Sequence, residues 1–111
     1  MNKYSADELF KIAYSHLQKK EFEKSTQLFE KLLNDYPDNL SILRNLSHSY
    51  AFSGDFKKAE EVIKKIIRIK PTEPFAYQTL ASVLKNQDKI EEMIKIIDEG
   101  LEKNLINKKW E

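Results

Sequence analysis

The sequence predicts an all-α protein built from helical hairpins, on the evidence of its hydrophobic periodicity, its turn residues and an internal repeat. Between Leu40 and Pro71, apolar residues recur at steps of three and four on both sides of Gly54, which is the spacing of two amphipathic helices. Gly54 supplies the positive φ that ends the first helix. Pro71 closes the second helix because proline cannot donate a backbone hydrogen bond.

The hairpin recurs before and after this stretch at a constant step of 34 residues. The clearest series are Leu9, Leu43 and Tyr77; Ile12, Leu46 and Leu80; Phe22, Phe56 and Ile90; Ser25, Ala59 and Met93; and Phe29, Ile63 and Ile97. Pro37 and Pro71 keep the same step. These registers predict a single domain over residues 1–111, with repeats at about 6–39, 40–73 and 74–105 and a tail over 104–111.

A 34-residue helix-turn-helix with this order of large, small and proline positions resembles the tetratricopeptide repeat. In the central repeat the family motif falls on Leu43, Leu46, Ser47, Tyr50, Gly54, Phe56, Ala59, Ile63, Ile66 and Pro71. The flanking repeats depart from it, since Lys20 and Asp88 stand at the turn-glycine position and Leu105 at the proline position. The resemblance implies an α-solenoid of three helix-turn-helix repeats forming a right-handed superhelix, with the first helix of each repeat on a concave face.

Local signals place the helices at about residues 5–19, 22–35, 39–52, 56–69, 72–86 and 90–103. Ser5 and Glu8 have the spacing of a capping box at the first helix. Thr72 is expected to cap the fifth helix, with Pro74 in its first turn, where a missing donor costs nothing.

Composition excludes several functional classes. A net charge of +1, from 19 basic and 18 acidic residues, argues against a general polyanion binder, so no nucleic-acid partner is expected. The absence of cysteine removes disulfides and thiolate metal sites. No apolar run approaches the roughly 18 residues of a membrane span, and Met1 to Asp7 is polar, so we expect a cytoplasmic protein.

Catalytic signals are weak, so we predict no enzyme, no metal site and no cofactor. His16 takes the repeat position of Tyr50 and Leu84, which favours a core or half-buried histidine over a base. His48 is accompanied by no cysteine and no metal-binding spacing. The acidic pairs Glu60-Glu61 and Glu91-Glu92 lie near the starts of helices, where they are expected to favour solubility and capping.

The resemblance implies a protein-interaction module that binds a peptide or partner helix in the concave groove. The predicted groove residues are Phe10, Tyr14, Arg44, Asn45, His48, Phe52, Phe75 and Gln78. The aromatic residues of this set are either partner anchors or packing between neighbouring helices. Asn45 fits the family's carboxylate clamp for chaperone tails, but Phe10, Tyr14, Phe75 and Thr79 do not, so the resemblance does not imply that ligand.

The alternative function is structural: a self-associating scaffold, or a fragment of a longer repeat array. Ile94, Leu101 and Leu105 are expected to form an apolar face at the C-terminal end, where a fourth repeat would stack. Leu105, Ile106 and Trp110 either fold against this face or leave it to a second chain. We favour a weak homodimer through this end.

Overall fold

The computed structural model describes residues 3–106, and within that range it contains six α-helices and no β-strand. The helices are α1 (Ala6–Gln18), α2 (Phe22–Asp35), α3 (Leu40–Ser53), α4 (Phe56–Ile69), α5 (Pro74–Asn86) and α6 (Ile90–Glu102). Each expected helix is present, with its ends within one or two residues of the prediction. The all-α prediction is therefore confirmed. None of these six helices is long and apolar enough to cross a membrane.

Side-chain caps fix the starts of two helices, and the first of these caps is the predicted one. Ser5 Oγ accepts a hydrogen bond from the Glu8 backbone N–H at 3.2 Å, and the Glu8 carboxylate accepts one from the Ser5 N–H at 3.4 Å. This is the expected capping box at α1. At α3, Asn39 accepts from the Ile42 N–H at 3.0 Å, which satisfies one of the free donors of the first turn.

The start of α5 differs from the prediction, because Thr72 is not its cap. Glu73 is the N-cap residue, with extended backbone at φ −84° and ψ 106°, and its side chain makes no capping bond. Pro74 at the first helical position explains the shift, since proline keeps the preceding residue out of the α region. The Glu73 carboxylate instead lies 3.5 Å from Lys70 Nζ.

The three turns that follow α1, α3 and α5 share one backbone conformation. Gly54 has φ 89°, Lys20 has φ 63° and Asp88 has φ 61°. Lys20 and Asp88 therefore hold the left-handed conformation without being glycine. A lysine in this conformation is strained, because its Cβ approaches the following carbonyl oxygen.

Lys20→Gly is expected to stabilise the fold by roughly 0.5–1 kcal/mol, because relief of backbone strain exceeds the extra entropy of an unfolded glycine. Asp88→Gly should gain less, since aspartate tolerates this conformation better than lysine. Urea denaturation measures both changes. As the opposite control, Gly54→Ala should lose about 1–2 kcal/mol from backbone strain alone, because an added Cβ there would meet no atom within 4 Å. A destabilised Lys20→Gly would contradict the argument.

The chain divides into two compact units, and the division falls between Asp55 and Phe56. In the first unit, α2 packs against α1 and α3. Its buried apolar residues are Leu9, Ala13, Phe29, Leu32, Ile42, Leu43, Leu46 and Tyr50. The α2–α3 contact also contains a hydroxyl cluster, in which Ser49 Oγ lies 2.6 Å from Ser25 Oγ and 2.7 Å from Thr26 Oγ1. One domain over the whole chain stays a prediction.

In the second unit, α5 packs against α4 and α6. Its buried apolar residues on α4 and α5 are Ala59, Ile63, Ile66, Ala76, Tyr77, Leu80, Ala81, Val83 and Leu84. The Tyr77 hydroxyl donates to the Pro71 carbonyl at 3.0 Å and accepts from Lys103 Nζ at 2.8 Å. The hydrogen bond to Tyr77 raises the pKa of Lys103. The first bond joins α5 to the turn that precedes it, and the second joins the end of α6 to α5.

Glu60 corrects the prediction that the Glu60-Glu61 pair serves solubility and capping. Only 8% of Glu60 is exposed, although Glu61 is exposed as expected. The Glu60 carboxylate accepts from Lys64 Nζ at 2.7 Å, Gln87 Nε2 at 2.8 Å and Lys89 Nζ at 3.0 Å. Burial opposes ionisation and is the largest single influence, but these hydrogen bonds together outweigh it and lower the pKa of Glu60 to about 2. Glu60 therefore ties α4 to the α5–α6 turn.

At the C-terminal end, the chain turns back on α6 after Glu102. The Leu105 and Ile106 backbone N–H groups both donate to the Gly100 carbonyl, at 2.7 and 3.2 Å. Ile106 is 4% exposed, and its side chain covers Gly100. Part of the predicted tail thus folds against its own helix. Trp110 lies outside the described residues.

Candidate functional site

The predicted groove residues lie on α1, α3 and α5. Six of the eight are in the first unit: Phe10 and Tyr14 on α1, and Arg44, Asn45, His48 and Phe52 on α3. Phe75 and Gln78 lie on α5 in the second unit. The α1–α3 surface therefore holds most of the predicted groove residues within one unit.

One pocket lies where α1 and α3 begin. Its volume is about 410 Å³, and its lining consists of Ala6, Asp7, Phe10, Leu32, Tyr36, Asn39, Ser41 and Ile42. Phe10, Leu32 and Ile42 supply apolar surface. Asp7, Tyr36 and Ser41 supply a carboxylate and two hydroxyl groups. The pocket can therefore accept an apolar side chain that carries a polar or cationic tip.

A second pocket lies where α1 and α3 end. Its volume is about 540 Å³, and its lining consists of Leu17, Gln18, Lys20, Phe22 and Phe52. Phe52 is 64% exposed, and its ring centroid lies 6.2 Å from that of Phe22. Lys20 and Gln18 are the polar members. Because each pocket draws residues from both helices, α1 and α3 run side by side in the same direction.

Between the pockets, α1 and α3 expose a mixed surface. Tyr14 is 43% exposed, one turn beyond Phe10. Asn45 Nδ2 donates to the Ser41 carbonyl on its own helix at 2.8 Å. The Asn45 amide can therefore offer its oxygen and its second N–H to a ligand.

His48 contacts Phe52 on its own helix, and its pKa is affected by Arg44 on the same helix. Its ring stacks on Phe52, with centroids 5.6 Å apart and planes at 18°. Burial lowers the pKa of His48, and the Arg44 guanidinium lowers it further. Because the ordinary histidine pKa is already below 7, His48 is neutral at physiological pH and can donate and accept hydrogen bonds.

The predicted aromatic residues differ in how far they pack into the fold and how far they are exposed to a partner. The half-buried Phe10 packs edge-on against Phe29, with ring centroids 5.6 Å apart, and Phe29 is fully buried. Phe10 therefore contributes to packing and also presents one side to the first pocket. Tyr14 and Phe52 are the more exposed of the set, whereas Phe75 is half-buried. Anchoring stays a prediction for all four.

Within residues 3–106, no group of three histidine or acidic side chains is arranged to hold a metal ion. His16 is half-buried, as the repeat register predicts, and its Nδ1 lies 3.1 Å from Glu21 Oε1. This hydrogen bond is the main cause of the lowered pKa of Glu21. The pair joins the last turn of α1 to the N-cap residue of α2.

Several residues that line the two pockets carry no signal in the sequence that marks them as site residues. Leu32, Tyr36 and Ile42 complete the first pocket, and Phe22 the second. Leu32, Ile42 and Phe22 are ordinary apolar positions of the repeat, so nothing distinguished them from the core. Tyr36 gave the one available signal, since it is an aromatic residue directly before Pro37 and is 47% exposed.

Helical hairpins that recur at a 34-residue register, with consecutive helices packed on one another inside each unit, define an α-solenoid of the helical-repeat class. Residues 16–84 match the family model described as tetratricopeptide repeat, and the chain belongs to the tetratricopeptide repeat family. Domains of this family are generally non-catalytic modules for protein interaction. The chain is accordingly a protein-interaction module.

The chain is also similar to parts of longer proteins. The chain is 33% identical over 79 residues to Protein CTR9 homolog of Arabidopsis thaliana, which covers 71% of this chain and 7% of that protein. It is 30% identical over 73 residues to human aspartyl/asparaginyl beta-hydroxylase, covering 66% and 10% respectively. The chain thus spans a tenth or less of the length of these relatives.

Solved structures of other proteins share the fold. The Sgt2 TPR domain from Aspergillus fumigatus superposes with a TM-score of 0.79 at 22% identity, covering 89% of this chain and 66% of that one. A crystal structure of MamA superposes with a TM-score of 0.84 at 21% identity, covering 93% and 60%. At these identities the match shows the fold alone.

Proposed function

We propose that this chain binds an extended peptide segment of a partner protein along the α1–α3 surface. The observation that carries the proposal is the pair of pockets at the two ends of these helices, one lined by Phe10 and the other by Phe52. Apolar side chains of the peptide enter the pockets. Tyr14, Arg44, Asn45 and His48 line the path between them, and Phe75 and Gln78 on α5 stay predicted contacts.

The dimensions of α1 set the length of the ligand. A helix of 13 residues is about 20 Å long at about 1.5 Å per residue. An extended chain covers that distance with roughly six residues at about 3.3 Å each. Asp7 at one end and Lys20 at the other favour a peptide whose basic group lies near the start of α1 and whose acidic group lies near its end.

A displayed library of random heptapeptides tests this proposal directly. The enriched peptides are synthesised and titrated against the wild-type chain and against Phe52→Ser. We expect Phe52→Ser to weaken binding at least about tenfold, as removal of an aromatic anchor does. Helical circular dichroism should be unchanged, because Phe52 is 64% exposed.

Ile69→Ser is the matched control, since Ile69 is an exposed apolar residue on α4, outside the proposed surface. It should leave peptide affinity unchanged. Equal binding by wild-type, Tyr14→Ser and Phe52→Ser chains would place the binding surface elsewhere. Failure to enrich any heptapeptide would contradict the proposal.

Self-association through the C-terminal end stays the alternative prediction. The observation in its favour is the exposure of Ile90 and Ile94 on α6, at 42% and 49%. A place in a longer repeat array likewise stays a prediction. Both alternatives use the apolar face of α6 rather than the α1–α3 surface.

A further inference from the structure

An apolar stripe runs the length of α6. It consists of Ile90, Ile94, Ile97 and Leu101, at steps of four, three and four residues. These steps keep the four side chains on one face of the helix. Ile90 and Ile94 are 42% and 49% exposed, and Ile97 and Leu101 are half-buried. We call this surface the α6 stripe.

The second helices of the two earlier repeats, α2 and α4, use the equivalent positions to contact the helix that follows each of them. Ile94 corresponds in register to Thr26 and Glu60. Thr26 Oγ1 lies 2.7 Å from Ser49 Oγ on α3, and Glu60 accepts from Gln87, the C-cap residue of α5, at 2.8 Å. The position that binds the next helix through polar atoms in α2 and α4 is therefore isoleucine in α6. A helix that packs against Ile94 is therefore expected to present an apolar face.

A pocket lies beside the stripe, between α5 and α6. It has a volume of about 370 Å³ and is lined by Gln78, Ala81, Ser82, Lys85, Met93 and Ile97, from α5 and α6. Met93 corresponds in register to Ser25 and Ala59, both fully buried, whereas Met93 itself is only half-buried. The pocket can receive one large apolar side chain from a helix laid along the stripe.

Charge determines which helix fits. α6 contains five acidic residues and one lysine between Ile90 and Glu102. The residues that directly follow the four stripe residues are Glu91, Lys95, Asp98 and Glu102, and one residue is a rotation of about 100°. The flank on one side of the stripe therefore carries three exposed acids and one exposed lysine, and it is acidic overall. The basic residues next to each end of α6 are engaged elsewhere, because Lys89 bonds to Glu60 and Lys103 to Tyr77.

We propose that the α6 stripe binds an amphipathic helix of another protein that carries basic residues along one flank. The apolar side of that helix covers the stripe, and its basic flank faces Glu91, Asp98 and Glu102. The opposite flank of the bound helix faces α5, where Lys85 borders the pocket. Basic residues on that flank would be repelled by Lys85, so the bound helix is basic on one flank only. This surface is separate from the α1–α3 surface and does not depend on it.

A second copy of the chain fits this face less well. A second α6 would bring a flank that is also acidic overall against this one, and the net like charge opposes that contact. A second α1 presents Glu8 at the register position where α3 has the buried Ile42. A carboxylate there would lose its hydration against the apolar stripe, which is costly.

Two synthetic 18-residue helical peptides test the proposal. Both have leucine at steps of three and four, and one carries lysine along one flank where the other carries glutamate. Fluorescence anisotropy with the full chain at low and high salt measures binding. We expect the lysine peptide to bind at least tenfold more tightly than the glutamate peptide at low salt, and this preference should shrink at high salt.

Variants of α6 sharpen the test. Ile94→Ser should weaken the lysine peptide at least tenfold, whereas Ile69→Ser, an exposed control on α4, should have no effect. Replacing Glu91 and Asp98 together by lysine should reverse the preference in favour of the glutamate peptide. These residues are exposed, so the variants are expected to fold normally.

Several outcomes overturn the proposal. Equal binding of the two peptides, or no binding of either, removes the charge-selected helix as the occupant. Sedimentation that shows a dimer of the wild-type chain, lost in Ile94→Ser, assigns the stripe to a second copy. Binding only by a chain that ends at Ile106 assigns it to residues 107–111 of the same chain.

Discussion

Replacing Glu60 with glutamine is expected to lower the free energy of unfolding by roughly 2–3 kcal/mol at pH 7. The carboxylate accepts hydrogen bonds from Lys64, Gln87 and Lys89 while only 8% of the residue is exposed. Glutamine keeps the size of the side chain but loses the charge. The charge-assisted bonds to the two lysines are therefore lost.

The effect should depend on pH in a defined direction. The pKa of Glu60 is about 2 in the folded chain, below the ordinary value of 4.5. The unfolded state therefore binds a proton first as the pH falls. The contribution of Glu60 is fully present above about pH 5 and is lost between pH 4.5 and 2. Wild-type and Glu60→Gln stabilities should converge in acid.

Urea denaturation at pH 7 and pH 3 measures this difference. Glu61→Gln is the control, because Glu61 is the exposed neighbour on the same helix, and it should change stability by less than about 0.5 kcal/mol. A difference between wild-type and Glu60→Gln that stayed constant with pH would assign the loss to packing rather than to ionisation.

Most of the fold follows from local signals in the sequence. The start of α1 was predictable because Ser5 and Glu8 have the spacing of a capping box. The other helix ends were predictable because the 34-residue register transfers the boundaries of the clearest hairpin to its neighbours. At Lys20 and Asp88 the repeat register predicts the backbone conformation better than the residue type does. Each keeps the backbone of Gly54, although propensity alone disfavours it.

Features that depend on partners from distant turns were not predictable. From the sequence, Glu60 cannot be distinguished from its acidic neighbour Glu61. Its partners Gln87 and Lys89 are far away in the chain, and nothing in the local sequence indicates that they lie close to it. The pockets at the ends of α1 and α3 likewise combine predicted aromatic residues with repeat positions such as Leu32 and Phe22, whose apolar character reveals only burial. The sequence thus predicts which faces are available, and the structure shows where they form pockets.

Ile106 replaces a missing core side chain in the last hairpin. Gly100 occupies the register position of Leu32 and Ile66, which are 3% and 2% exposed in their own units. A Cβ added to Gly100 would lie 2.6 Å from Ile106 Cγ1, which is too close for two carbon atoms that are not bonded to each other. The side chain of Ile106 therefore fills the space that leucine or isoleucine fills in α2 and α4.

Ile106→Ala should accordingly cost about 2–4 kcal/mol, as expected for a buried isoleucine reduced to alanine. Gly100→Leu should also destabilise the chain, because the new side chain displaces Ile106. In the double variant, however, the introduced leucine has room at the position where Leu32 is buried in α2, and its helix propensity exceeds that of glycine. Loss of stability in the double variant should therefore be smaller than in either single variant.

A double-mutant cycle by urea denaturation measures the coupling between the two substitutions. We expect the coupling to exceed about 1 kcal/mol in favour of the pair, because each change alone leaves the shared space either empty or overfilled. Additive losses would show that Ile106 and a side chain at position 100 do not compete for one space.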